Sequence, residues 1–151
     1  MTSHFQSTSP SVLLTVKGAS DAIEYYCAVF GCAEMFRLTD PTDGRIGNAE
    51  LRFGDGVLML ADEYPEVGAL GPHSDGGQKA RLHLYVPDVD AVLATALANG
   101  AQIVRPLEQQ FFGDRVAVIE DPFGHEWMLA TKTEAIRPEV MQQRWNDMMK
   151  S

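Results

Sequence analysis

No apolar run in this chain approaches the ~20 residues that a membrane helix needs; the longest stretches, such as VLMLA at 57–61, are a quarter of that. Cysteine is scarce, with only Cys27 and Cys32; a disulfide between them is possible, but a chain of this length does not need one. The first residues, MTSHFQSTSPS, contain no apolar core of a secretory signal, so reduced thiols in the cytoplasm are expected. Cys27 falls on an apolar helical stripe, which makes it a small core side chain before a nucleophile. Lys/Arg clusters are also missing, and the formal net charge is −9, so a nucleic acid is not an expected partner. Neither a G-x-S-x-G elbow nor a phosphate-binding or dinucleotide glycine loop occurs.

What the chain does contain is a repeat. SVLLTVKG (11–18) reads as a strand, and ASDAIEYYCAVF continues as an amphipathic helix. Its stripe is Ala19, Ala22, Ile23, Tyr26, Cys27 and Phe30, and Gly31 caps it. AEMFRL, IGNAELRFG and GVLMLAD follow as short strands, separated by DPTDG and GDG turns. The second half repeats this order. RLHLYV is a strand, and Asp88 caps a helix with Val89, Val92, Leu93, Ala96 and Leu97 on one face. AQIVRPL, DRVAVIE and HEWMLAT complete the set. RFGDGVLML in the first half answers DPFGHEWML in the second, an offset of roughly 70 residues that marks a duplicated module and not a solenoid.

The expected architecture is α+β: two βαβββ modules, 11–62 and 80–131, in one domain, with a mixed sheet that lines a central cup if it curls. Residues 1–10 are expected to be a disordered tail. The linker 63–79 is long enough to suggest function or mobility. A C-terminal helix is expected over 137–149, presenting Val140, Met141, Trp145 and Met148 to one side.

Strand alternation assigns faces. Leu82, Leu84 and Trp127 are expected under the helices, and so is Leu51. Asn48, Glu50, Arg52, Arg81, His83, Tyr85 and Glu126 are expected on the opposite, mixed faces that line the cup.

In this order and spacing, YYCAVFG, GNAEL, FGDGVLMLADE, YVPDVDAV, FFGDR and DPFGHEW resemble the PhnB-like branch of the vicinal-oxygen-chelate superfamily, which includes glyoxalases, bleomycin resistance proteins and dioxygenases. The resemblance spans Ser11 to Trp145. It implies the cup and a homodimer. It also implies a divalent-metal site at four strand positions, which here carry Ser11, Met59, Arg81 and Met128. Serine is a poor ligand, thioethers prefer soft ions, and a guanidinium repels a cation. No metal and no other cofactor is therefore expected. Branch relatives often carry histidine where this chain has Asn48, and an amide cannot titrate in its place. His125 matches the histidine of the family's DPFGH turn and is read as stabilising that turn.

The leading expectation is a metal-free protein that binds a small molecule, aromatic or anionic, with no nucleic acid and no membrane as partner. Asn48, Glu50, Arg52, Met59, Arg81, His83, Tyr85, Phe112, Arg115, Glu126 and Met128 are its candidate ligand-binding residues. Glu50 is expected to be Arg81's best internal partner, and Glu126 the next. The alternative is a lyase or dioxygenase-type enzyme with a non-standard site around His83 and Glu50, since a histidine–carboxylate pair can move protons near neutral pH.

Overall fold

A computed structural model describes residues 9–151, so most of the expected N-terminal tail lies outside the described residues. The chain divides into two compact units, the first ending at Ala80 and the second beginning at Arg81.

The first unit runs β1 (Val12–Val16), α1 (Ala19–Phe30), β2 (Ala33–Thr39), β3 (Ile46–Phe53) and β4 (Gly56–Asp62). Its sheet has the order β1-β4-β3-β2, with β1 parallel to β4 and the other pairs antiparallel. The second unit repeats this with β5 (Arg81–Tyr85), α2 (Val89–Ala98), β6 (Gln102–Gln109), β7 (Asp114–Glu120) and β8 (Glu126–Lys132), in the order β5-β8-β7-β6. α3 (Pro138–Met149) follows. Both sheets are mixed, and the fold is α+β. No described helix is long and apolar enough to cross a membrane.

α1 and α2 each cover one face of the sheet of their own unit. In the first unit Leu14, Val16, Ala22, Ile23, Tyr26, Leu51, Leu58 and Leu60 are all buried. Removing a fully buried leucine or tyrosine side chain of this kind from water contributes about 1.5–3 kcal/mol. The helix stripe is rotated from its expected position: Tyr25 and Val29 are buried, while Cys27 and Phe30 are half-exposed. In the second unit Trp127 is buried, but Leu82 and Leu84 are only half-buried, because α2 is short and offers Val89, Leu93 and Ala96 as its buried residues.

The duplication extends to single hydrogen bonds. α1 starts after Gly18, which has no side chain to cap it, and the last residue of β4 takes over: Asp62 Oδ1 accepts from Ala19 N at 2.8 Å. The equivalent residue of the second unit is Thr131, whose hydroxyl accepts from Val89 N at 2.8 Å and donates to Val86 O at 2.8 Å. Asp88 adds the expected cap, accepting from Ala91 N at 3.2 Å. In both units a strand neighbour satisfies an amide that the helix start leaves open.

The segment from Glu63 to Lys79 is pinned, not loose. It contains a 3-10 turn at Pro65–Val67. The Glu63 carboxylate accepts from Gly71 N at 2.7 Å and from Ser74 Oγ at 3.0 Å. Gly71 is buried against β1, where an added Cβ would stand 2.5 Å from Thr15 O. Length alone suggested mobility; the carboxylate that ties the loop down is what the sequence reading overlooked.

Candidate functional site

The sheet face opposite α2 in the second unit holds most of the chemistry. Register places Arg81 beside Glu126, His83 beside Met128 and Tyr85 beside Ala130. Across β8, Glu126 faces Glu120, Met128 faces Val118, and Ala130 faces Val116. The face is thus a band of polar groups along β5 that gives way to an apolar floor over β8 and β7.

Arg81 takes Glu126, the second of its two expected partners. Its Nε and Nη2 both lie against Glu126 Oε1, at 2.8 and 2.7 Å. The parallel register sets the two residues side by side, so the nearest carboxylate takes the guanidinium. Glu50 instead sits in β3 of the first unit, buried and in register with Met59.

His83 and Tyr85, both expected on this face, belong to a linked set. The His83 and Tyr85 rings meet edge-on, with centroids 4.6 Å apart. Tyr85 Oη donates to Asp114 Oδ2 at 2.6 Å, and Lys132 Nζ lies 3.2 Å from Asp114 Oδ1. The hydrogen bond to Asp114 holds the Tyr85 phenol above its ordinary value, with burial and the same charge adding to the effect. Tyr85 therefore stays a donor at neutral pH. His83 makes no hydrogen bond or ion pair among the described residues, so no carboxylate prepares it as a base.

Arg115 does not belong to this surface. Alternation turns it to the helix side, where Nε and Nη2 grip both Asp90 oxygens at 2.9 and 3.0 Å. His125 does not act alone in its turn either. The organiser is Asp121, which is buried. It accepts from Phe123 N at 2.8 Å, His125 N at 3.1 Å and the Trp127 indole at 2.8 Å.

Beside the apolar floor lies a groove of about 220 Å³, lined by Arg105, Pro106, Glu108, Gln110, Phe112, Val116, Val118 and Met128. Only Phe112 and Met128 were anticipated. Regular alternation would set Val104 and Pro106 opposite Val118 and Val116. Two register shifts in β6 set Arg105 and Glu108 there instead. Proline cannot donate to the ladder, which is why irregularity gathers around Pro106. Five arginines are committed to carboxylates: Arg37, Arg45, Arg81, Arg115 and Arg144. Arg105 has no such partner among the described residues, and neither does Glu108.

On the first unit, Asn48, Glu50 and Arg52 share a face with Phe36, Leu38 and Met59 by register. Asn48 Oδ1 is buried and accepts no hydrogen bond among the described residues. Arg52 is exposed.

The four positions that the resemblance assigns to a metal do not suit a hard divalent ion. Arg81 is neutralised by Glu126, Met128 and Met59 offer thioethers, and Ser11 is exposed ahead of β1. Among the described residues no three His, Cys, Asp or Glu side chains converge.

The model of the Glyoxalase/Bleomycin resistance protein/Dioxygenase superfamily matches residues 8–129. The chain belongs to that superfamily. A relative in Mycobacterium tuberculosis (strain ATCC 25618 / H37Rv), the uncharacterized protein Rv0887c, is 38% identical over 132 residues, covering 85% of this chain and 77% of its own. Among solved structures of the superfamily fold, TioX from Micromonospora sp. ML1 is 30% identical with a TM-score of 0.61, over 81% of this chain and 96% of that one. Protein PA1353 from Pseudomonas aeruginosa is 25% identical with a TM-score of 0.65, over 85% and 100%.

Proposed function

We propose that this superfamily member is a metal-free small-molecule-binding protein of the PhnB-like branch. In this reading the groove of the second unit holds a compound with an aromatic body and an anionic group. The observation that carries it is Arg105: a guanidinium lining a groove beside Val116, Val118 and Met128, with no ion-pair partner among the described residues. A planar fork of this kind offers a carboxylate two bonds at once. Val116, Val118, Met128 and Phe112 supply adaptable apolar surface for a ring. Glu108, one ladder step further along β6, favours ligands that also bear a cationic or hydrogen-bond-donating group. The branch assignment rests on FGDGVLMLADE and DPFGHEW in their order. The protein pairs as a homodimer, two-fold pairing being the commonest oligomer; a monomeric mass at micromolar concentration in the ultracentrifuge refutes that part.

The test is a thermal-shift and calorimetric comparison of benzoate, benzylamine and para-aminomethylbenzoate. Para-aminomethylbenzoate is expected to bind best and benzylamine least. Arg105→Gln removes the preference for the carboxylate, with a loss of about tenfold or more in affinity, because charged hydrogen bonds contribute about 1.5–3 kcal/mol. Arg81→Gln leaves it in place, since Arg81 is spent on Glu126. Equal losses in both variants overturn the assignment of Arg105, and binding of none of the three compounds counts against the groove as the ligand site.

A further inference from the structure

A second site lies in the first unit, at the end of α1. Cys27 stands in the last turn of the helix and Cys32 just beyond its cap. Gly31 adopts a left-handed conformation, φ 73°, and turns the chain so that the two side chains meet. The Cys32 thiol donates to Cys27 Sγ at 3.5 Å. Both thiols are free, Cys27 half-exposed and Cys32 buried. We propose that Cys27 and Cys32 are a reversible modification site that closes to an intramolecular disulfide on exposure to a hydroperoxide.

The geometry divides the roles. Burial pushes the Cys32 thiol up, and the contact with Cys27 adds to this, so Cys32 remains protonated and sheltered. Cys27 is the accessible sulfur. Cys27 gives up its proton and its sulfur attacks the hydroxyl oxygen of the hydroperoxide; the O–O bond breaks, the departing alkoxide takes up that proton as the alcohol, and Cys27 becomes a sulfenic acid. The Cys32 sulfur then attacks the Cys27 sulfur. The S–O bond breaks, and the hydroxyl leaves as water with the Cys32 proton. Two thiols lose two electrons in all, and the hydroperoxide gains them. A thiol as reductant returns the pair to its starting state. Sulfurs already in contact convert the second step into an intramolecular one with no search, which favours the disulfide over further oxidation.

The experiment exposes the full chain to hydrogen peroxide and follows thiol titration after denaturation, together with intact mass. Both thiols are expected to vanish together, with loss of two hydrogens and no added oxygen. A peptide joining Cys27 to Cys32 is expected, and dithiothreitol restores both groups. In the folded protein closure runs roughly tenfold or more faster than in urea, because the fold holds the sulfurs together. In Cys32→Ser, Cys27 is expected to stop at a sulfenic acid that dimedone traps. In Cys27→Ser, Cys32 stays reduced over the same time. Retention of both thiols, sulfinate at Cys27 of the unmodified chain, a disulfide between two chains, or equal rates with and without urea each overturn the proposal.

Discussion

Replacing Asp121 tests how the second unit closes its last hairpin. Asp121 is 2% exposed, and its carboxylate accepts from two backbone amides of the turn and from the indole of Trp127, itself 2% exposed. Hydrogen bonds to a charged group contribute about 1.5–3 kcal/mol each, and an orphaned buried donor costs about 1–3 kcal/mol. In Asp121→Ala all three bonds go, while water reaches part of the turn; a loss of about 5 kcal/mol is expected from these magnitudes. That is comparable to the whole stability of many domains, about 5–15 kcal/mol. Asp121→Asn is the more informative variant. Its remaining oxygen can serve the two backbone amides, but its NH2 then faces the indole N–H, donor against donor. The expected cost is about 3 kcal/mol, or about 10 °C in Tm. Urea denaturation followed by tryptophan fluorescence measures both, with the slope expected to stay constant. A loss below about 1 kcal/mol in Asp121→Asn refutes the claim that this carboxylate organises the turn.

Acid should release the segment after β4. Burial acts to raise the Glu63 carboxyl, but the Ser74 hydroxyl, the Gly71 amide and the charges of Lys17 and His73 outweigh it and hold the group below its ordinary value. A folded pKa below the unfolded one gives stability that is full above the unfolded value and is lost as pH falls through the folded one. Amide exchange at Gly71 should therefore accelerate below the ordinary carboxylate range, and Glu63→Gln should be nicked by protease between 69 and 78 already at neutral pH. Gly113→Ala should lose about 2–4 kcal/mol in urea, because φ there is 93° and a Cβ would collide with Glu134 O. Arg105→Gln, unlike Arg81→Gln, should leave the melting temperature of the unliganded protein unchanged within error, since it breaks no internal ion pair.

The repeat, the helix ends and the edges of the strands were legible because each rests on local signals: a 3.6-residue stripe, Asp88 as a cap, Gly31 past a helix. Partnerships across strands were not. Type and parity offer Arg81 both Glu50 and Glu126 and rank Glu50 first, whereas the parallel register of β5 with β8 brings it to Glu126. Register depends on pairing between residues 45 apart, which no single strand encodes. The groove escaped for a related reason. Strict alternation sends Arg105 toward the helix, and only the shifts around Pro106 reverse it. Asp121 was hidden in a turn motif whose histidine drew the eye, although an aspartate opening a tight turn is a known acceptor for the amides that follow.

The irregularity of β6 has a second effect, on solubility. This strand is the free margin of its sheet, and Ile103 and Val104 are exposed on it. A straight, apolar margin of that sort would recruit the backbone of another chain. Here the bulges interrupt the row of amides and carbonyls, Pro106 removes one donor outright, and Arg105 and Glu108 place charge beside it. The kinks that aim two charges at the groove thus also deny an incoming strand a continuous ladder.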